Sequence, residues 1–142
     1  MKVFMSHKAV SCYTELPAGF GAHGHIPREL TILPHLTGLV LDHNELSGFV
    51  PTFLVNIPEL YLDANQLTGT IPASLFQLAQ NLSSIFLGAN LLTGPIPSEI
   101  GLFPGLQVDL SDNQLSGLLP SELFDLEMLE WLWLNGNHVR IF

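Results

Sequence analysis

The chain has 142 residues, thirteen acidic and four basic side chains, and a formal net charge of −9. Hydrophobic residues make up 47% and charged residues 12%, which argues against disorder and calls for a surface rich in neutral polar groups. The bases are Lys2, Lys8, Arg28 and Arg140. The stretch from Glu29 to Val139 therefore projects a negative potential that repels nucleic acid, acidic polysaccharide and anionic lipid, and favours neutral or cationic partners.

The apolar run within Met1–Lys8 is too short for the core of a signal peptide. Cys12 is the one cysteine and cannot form an internal disulfide; it is expected to serve as a small hydrophobe. Residues 1–23 read as a degenerate N-terminal segment, with Phe20 and Ala22 where Asn and Leu are expected if Gly24-His25-Ile26-Pro27 ends a decayed unit. Residues 24–142 read as one repeat domain.

Five times the domain carries the same phrase: Leu39-x-Leu41-x-x-Asn44, Leu60-x-Leu62-x-x-Asn65, Ile85-x-Leu87-x-x-Asn90, Val108-x-Leu110-x-x-Asn113 and Leu132-x-Leu134-x-x-Asn137. The asparagines are 21, 25, 23 and 24 residues apart, within the period of about 20–29 residues of leucine-rich repeats. In the first unit apolar residues fall at Leu30, Leu33, Leu36, Leu39 and Leu41. A spacing of three shortens to two, where a turn gives way to a strand. The last unit keeps the same offsets at Leu123, Leu126, Leu129, Leu132 and Leu134.

The third unit gains a residue near Asn81. The fourth loses one around Leu106-Gln107-Val108, which leaves its strand register open. After each of the first four asparagines comes Leu-Ser/Thr-Gly and then a proline, at Pro51, Pro72, Pro97 and Pro120. Glycine permits the bend and proline opens a short helical turn. Ser98 and Ser121, each followed by Glu, are expected to cap such turns. The 35 uncharged residues from Ala64 to Ser98 are broken by Pro72, Pro95 and Pro97 and by glycines, so no membrane segment is expected.

The pattern Leu-x-x-Leu-x-Leu-x-x-Asn-x-Leu-Thr/Ser-Gly-x-Ile-Pro resembles the plant-specific class of leucine-rich repeats, over roughly Gly24 to Val139. That class occurs in ectodomains of receptor-like kinases and receptor-like proteins and in polygalacturonase-inhibiting proteins. The resemblance implies an α/β right-handed solenoid of about five repeats, with short parallel strands on the concave face and 3-10 or short α turns on the convex face. It also implies a non-catalytic protein- or peptide-recognition module, extracellular or at the cell surface, without a cofactor. Signal peptide and paired cap cysteines, usual in the family, are not seen, so a fragment or diverged short homologue is expected. Two alternatives stand beside the receptor reading: an inhibitor of a cell-wall-degrading hydrolase, and a truncated, non-binding remnant of a larger receptor.

In such an array the inward leucine row builds a continuous core. One buried Asn per turn offers both donor and acceptor to backbone groups that the sheet no longer pairs. Asn44, Asn65, Asn90, Asn113 and Asn137 are therefore expected to form a structural ladder. Strand residues that alternate with the leucines face the concave side. One column reads Val40, Tyr61, Phe86, Asp109, Trp133, and its neighbour Gly38, Glu59, Ser84, Gln107, Trp131. Beyond them run Asp42, Asp63, Gly88, Ser111, Asn135 and then His43, Ala64, Ala89, Asp112, Gly136.

Aromatic residues beside acids suit a binding surface. The expected ligand contacts are Tyr61, Phe86, Trp131, Trp133, Asp63 and Asp109. The register scatters His23, His25, His35 and His43, and no metal site is expected from them. Asp109 and Asp112 lie three apart without other signs of a catalytic cleft, so no enzyme activity is expected. Asn81-Leu82-Ser83 is the single N-glycosylation sequon, placed on the outer side.

Overall fold

The computed structural model describes residues 2–5, 12–33, 35–77, 81–103, 105–125 and 131–141. Leu126, Leu129 and the side chain of Cys12 lie outside the described residues. Strands are numbered in chain order. The larger sheet holds β1 (Lys2–Met5), β2 (Cys12–Glu15), β4 (Leu36–Val40), β6 (Glu59–Tyr61), β8 (Ser84–Phe86), β10 (Gln107–Asp109) and β12 (Trp131–Trp133). The smaller holds β3 (His23–Gly24), β5 (Glu45–Phe49), β7 (Gln66–Gly69), β9 (Leu91–Gly94), β11 (Gln114–Leu118) and β13 (His138–Arg140). Each repeat thus gives one strand to each sheet, and every pairing is parallel except the antiparallel pair of β1 and β2. This is the leucine-rich-repeat solenoid.

The open question of the fourth strand is resolved by its pairing. Val108 lies beside Ile85 on one side and Leu132 on the other, so the deletion is absorbed before the strand. Between the sheets run 3-10 turns at Arg28–Ile32, Thr52–Asn56, Ser98–Leu102 and Ser121–Asp125, and a four-residue helix α1 at Ser74–Gln77 in the third unit. Pro27, Pro51 and Pro97 hold the capping position of their 3-10 turns. The carbonyls of Pro27, Pro51, Pro72, Pro97 and Pro120 accept from the N–H groups of Leu30, Leu54, Leu75, Ile100 and Leu123 at 3.0–3.3 Å. Ser98 is therefore no cap: Pro97 holds that place with no side-chain cap bond, and the Ser98 and Ser121 hydroxyls face the carboxylates of Glu99 and Glu122 instead.

The leucine rows meet between the sheets. Leu39, Leu60, Ile85 and Val108 are fully buried, as are Leu62, Leu87, Leu110, Leu67, Leu92 and Leu115. Burying each such side chain stabilises the fold by about 1.5–3 kcal/mol. Leu132, Leu134 and Val139, which hold the same places in the last unit, are only partly buried.

The segment before Gly24 also packs on this core. In β2, Thr14 lies beside Leu39 in the leucine row. The Leu16 N–H donates to the Val40 carbonyl at 3.0 Å, as Leu41 does to Tyr61 one repeat later at 2.8 Å. Gly19, with φ +71°, donates to the His43 carbonyl, matching the bond from the Asn44 N–H to the Ala64 carbonyl. The Ala22 N–H bonds to Asn44 Oδ1 at 3.2 Å, as the Leu46 N–H does to Asn65, and counted back from Ala22 it is the exposed Phe20 that falls where the asparagine would be.

Candidate binding face on the larger sheet

Alternation along each short strand buries the leucines and turns their neighbours outward on the sheet that lines the concave side of this fold. Five-strand register sets Tyr61 beside Phe86, Phe86 beside Asp109 and Asp109 beside Trp133. The Tyr61 and Phe86 rings stack with centroids 5.0 Å apart and planes 10° from parallel. Trp131 and Trp133, two residues apart on β12, stack at 5.6 Å and 16°. Phe86 and Trp133 approach to 6.3 Å at 42°, across the intervening strand β10. Aromatic contacts of this type add about 0.5–1.5 kcal/mol each beyond area burial. They tie the four expected aromatics into one strip, with Trp131 53% and Trp133 40% exposed.

Asp109 sits in the gap that the strip bridges. Its Oδ1 accepts from the Ser111 N–H at 2.8 Å, and its carboxylate leans over Gly88, where a Cβ would lie 3.0 Å from it. The glycine thus makes room for the acid. Burial raises the Tyr61 hydroxyl above its usual pKa, with Glu59 adding to the shift and a hydrogen bond to Ser84 opposing it.

At the other end of the strip the structure forms a cluster that the sequence reading missed. Asp42 and Asp63 continue adjacent strands, and His43 Nδ1 lies 2.9 Å from Asp42 Oδ2 and 3.8 Å from Asp63 Oδ2. Asp63 is raised above the usual carboxylate range, first by burial and then by the Asp42 charge, against smaller lowering by its own backbone and by His43. His43 is raised chiefly by its bond to Asp42. Among the described residues these three are the group of His, Cys, Asp and Glu ligand atoms that converges, all within 4.8 Å. Searching for several histidines together could not find it; the signal was an Asp in the same column of two successive repeats, with a His beside one.

The asparagine ladder runs along the edge of the site. Asn65 Nδ2 donates to the carbonyls of Leu41, Leu62 and Asp63 at 2.9–3.1 Å, and its Oδ1 accepts from the Leu46 N–H at 2.9 Å. Asn90 and Asn113 repeat the scheme, and Asn137 does so partly exposed at the end of the array. Asn44 bonds to the Leu41 and Asp42 carbonyls and receives Ala22 N–H. Asn81 is exposed beside Asn56, Ile57 and Pro58, away from the aromatic strip. Among the described residues no helix is long and apolar enough to cross a membrane.

The Leucine Rich Repeat family model matches residues 56–78 and 106–126. Comparison with curated proteins gives no match. Among solved structures, the plant peptide hormone receptor RGFR1 in complex with RGF2 is similar at 33% identity and TM-score 0.77, over 89% of this chain and 23% of that one. The Arabidopsis receptor kinase HAESA, in complex with the peptide hormone IDA and the co-receptor SERK1, is similar at 39% identity and TM-score 0.74, over 82% and 20%. The BIR2 ectodomain from Arabidopsis thaliana is similar at 29% identity and TM-score 0.75, over 87% and 67%. The chain thus spans about a fifth of the length of the first two. By its repeats, its paired parallel sheets and these likenesses, the chain is a plant-type leucine-rich-repeat protein resembling receptor ectodomains.

Proposed function

We propose that the chain is a non-catalytic module that recognises a peptide or protein segment through its larger sheet, with Tyr61, Phe86, Trp131, Trp133, Asp63 and Asp109 as contacts. The observation that carries this reading is the ring strip itself: four aromatic side chains of β6, β8 and β12 in contact with one another and open to solvent on one side. Rigid aromatics supply contact area at low entropic cost and are enriched among residues that dominate binding energy. The likeness to RGFR1 with RGF2 and HAESA with IDA supports a peptide as the ligand. Five strands at about 4.8 Å spacing give roughly 20 Å between the outer ones, the size of a short segment.

The excess of thirteen acids over four bases favours a neutral or cationic ligand. Asn81, in an exposed loop outside the strip, is proposed as a glycosylation site that leaves this face free. The test is a synthetic peptide array probed with the wild-type chain and with a variant carrying Tyr61→Ala, Phe86→Ala, Trp131→Ala and Trp133→Ala, its fold checked by circular dichroism. Peptides retained by the wild type are expected to be lost by the variant. Equal retention of the same peptides by both proteins would overturn the assignment of the face.

A further inference from the structure

We propose that Asp42, His43 and Asp63 bind one divalent transition-metal ion of the Zn2+ type at the edge of the larger sheet. Two carboxylates and an imidazole converge here from two repeats, with one ligand atom each and all within 4.8 Å. Donors sharing a tetrahedral ion at about 2.0–2.1 Å from each lie roughly 3.3 Å from one another. The observed separations from His43 Nδ1, 2.9 Å to Asp42 Oδ2 and 3.8 Å to Asp63 Oδ2, bracket that value.

The donor chemistry selects the ion. An imidazole nitrogen suits Zn2+, Cu2+ or Ni2+, while Mg2+ and Ca2+ prefer oxygen-only cages. The side chains of Asp42 and Asp63 are 24% and 26% exposed and that of His43 62%, so further coordination positions are open to water or to a ligand group. The backbone beneath is fixed from behind. Asn44 Nδ2 holds the Asp42 carbonyl at 2.8 Å, Asn65 Nδ2 holds that of Asp63 at 3.1 Å, and the His43 N–H bonds to the Asp63 carbonyl at 3.0 Å. Both carboxylates are thus carried on neighbouring rungs of one ladder. The set occurs once, because the same two columns hold Gly88 and Ala89, Ser111 and Asp112, and Asn135 and Gly136 in the later repeats.

The test is calorimetric titration of the full chain, freed of metal by chelator, with Zn2+ in a non-coordinating buffer. One saturable site is expected, with Mg2+ at equal concentration giving no comparable heat. Because loss of an outer-shell partner alone weakens metal sites about 10–100-fold, His43→Ala and Asp63→Asn should each weaken Zn2+ binding at least tenfold. His43→Asn, which tolerates the left-handed backbone at this position, repeats the ligand loss without altering the turn. The double variant His23→Ala, His25→Ala should bind as the wild type does. Zn2+ binding that survives both His43 substitutions, or that disappears in the His23/His25 variant, would overturn the site. So would the absence of saturable Zn2+ binding to the wild-type chain. This reading shares Asp63 with the proposed peptide face, but the peptide-array variant alters only the four aromatics and leaves Asp42, His43 and Asp63 in place, so the two tests fail separately.

Discussion

At the scale of single residues, the asparagine amides and one buried hydroxyl mark opposite ends of polar satisfaction. Asn90 serves three carbonyls and one N–H from a buried position. Asn90→Ala should therefore destabilise the chain by about 1–3 kcal/mol in urea denaturation, since the Leu67 N–H loses its acceptor and each of the three carbonyls loses one of its donors. Thr14 is the reverse case: fully buried in the leucine row, with an Oγ1 that has no hydrogen-bond partner among the described residues. Thr14→Val keeps the shape and removes the stranded hydroxyl, and it should stabilise the chain by about 1 kcal/mol or more. Asp63 supplies a pH signature. Its carboxyl is raised by burial and by Asp42, so the folded chain holds that proton more tightly than the unfolded chain. Stability from this group is full below the ordinary carboxylate pKa of 3.8 and is lost as pH rises through the raised value. Asp63→Asn, measured with chelator present, should raise the melting temperature at pH 7 and leave it nearly unchanged at pH 3.

At the scale of the element, glycine does different work in different turns. Gly69 has φ +79°, and a Cβ there would lie 2.5 Å from Phe49 Cδ1, so the ring of one repeat packs on the bare backbone of the next. Gly19 has a similar φ of +71° and nothing within 4 Å. Both substitutions to alanine incur the left-handed penalty of about 1–2 kcal/mol. Gly69→Ala adds the clash, and thermal melts should place it clearly below Gly19→Ala. The strands, the turns after each asparagine and the columns of the larger sheet were all legible in the sequence, because the Leu-x-Leu-x-x-Asn phrase fixes which residues face in. The unit before Gly24 was not. It carries Thr14 in place of the row's leucine and one extra residue between Leu16 and Ala22 relative to Leu41 and Leu46, and together these hide the phrase. The expected serine caps failed because proline carbonyls already hold the capping position. The aromatic strip was legible as a column, but its ring geometry and the seat that Gly88 makes for Asp109 depend on side-chain contacts that no spacing encodes.

At the scale of the whole molecule, the chain is a row of units that each bury their core only against neighbours, so position in the row sets the energetic weight of equivalent residues. Leu87 is fully buried between β6 and β10 and is tied to the next repeat twice: its N–H meets the Asp109 carbonyl, and its own carbonyl serves Asn113 as well as Asn90. Leu134 holds the same place in the last unit but is only half-buried, and among the described bonds its carbonyl serves Asn137 alone. Leu87→Ala should cost about 2–5 kcal/mol, because the stacked units leave no room for the cavity to collapse. Leu134→Ala should cost well under half as much. Native-state hydrogen exchange sharpens the contrast. Amides of β6, β8 and β10 should share the highest protection, with β12 and β13 opening at lower free energy. In Leu87→Ala the loss of protection should spread into β6 and β10, whereas in Leu134→Ala it should stay within the last unit. Uniform protection from β4 to β13, or a Leu134→Ala effect that reaches β6, would show that the array unfolds as one block rather than as neighbour-coupled repeats.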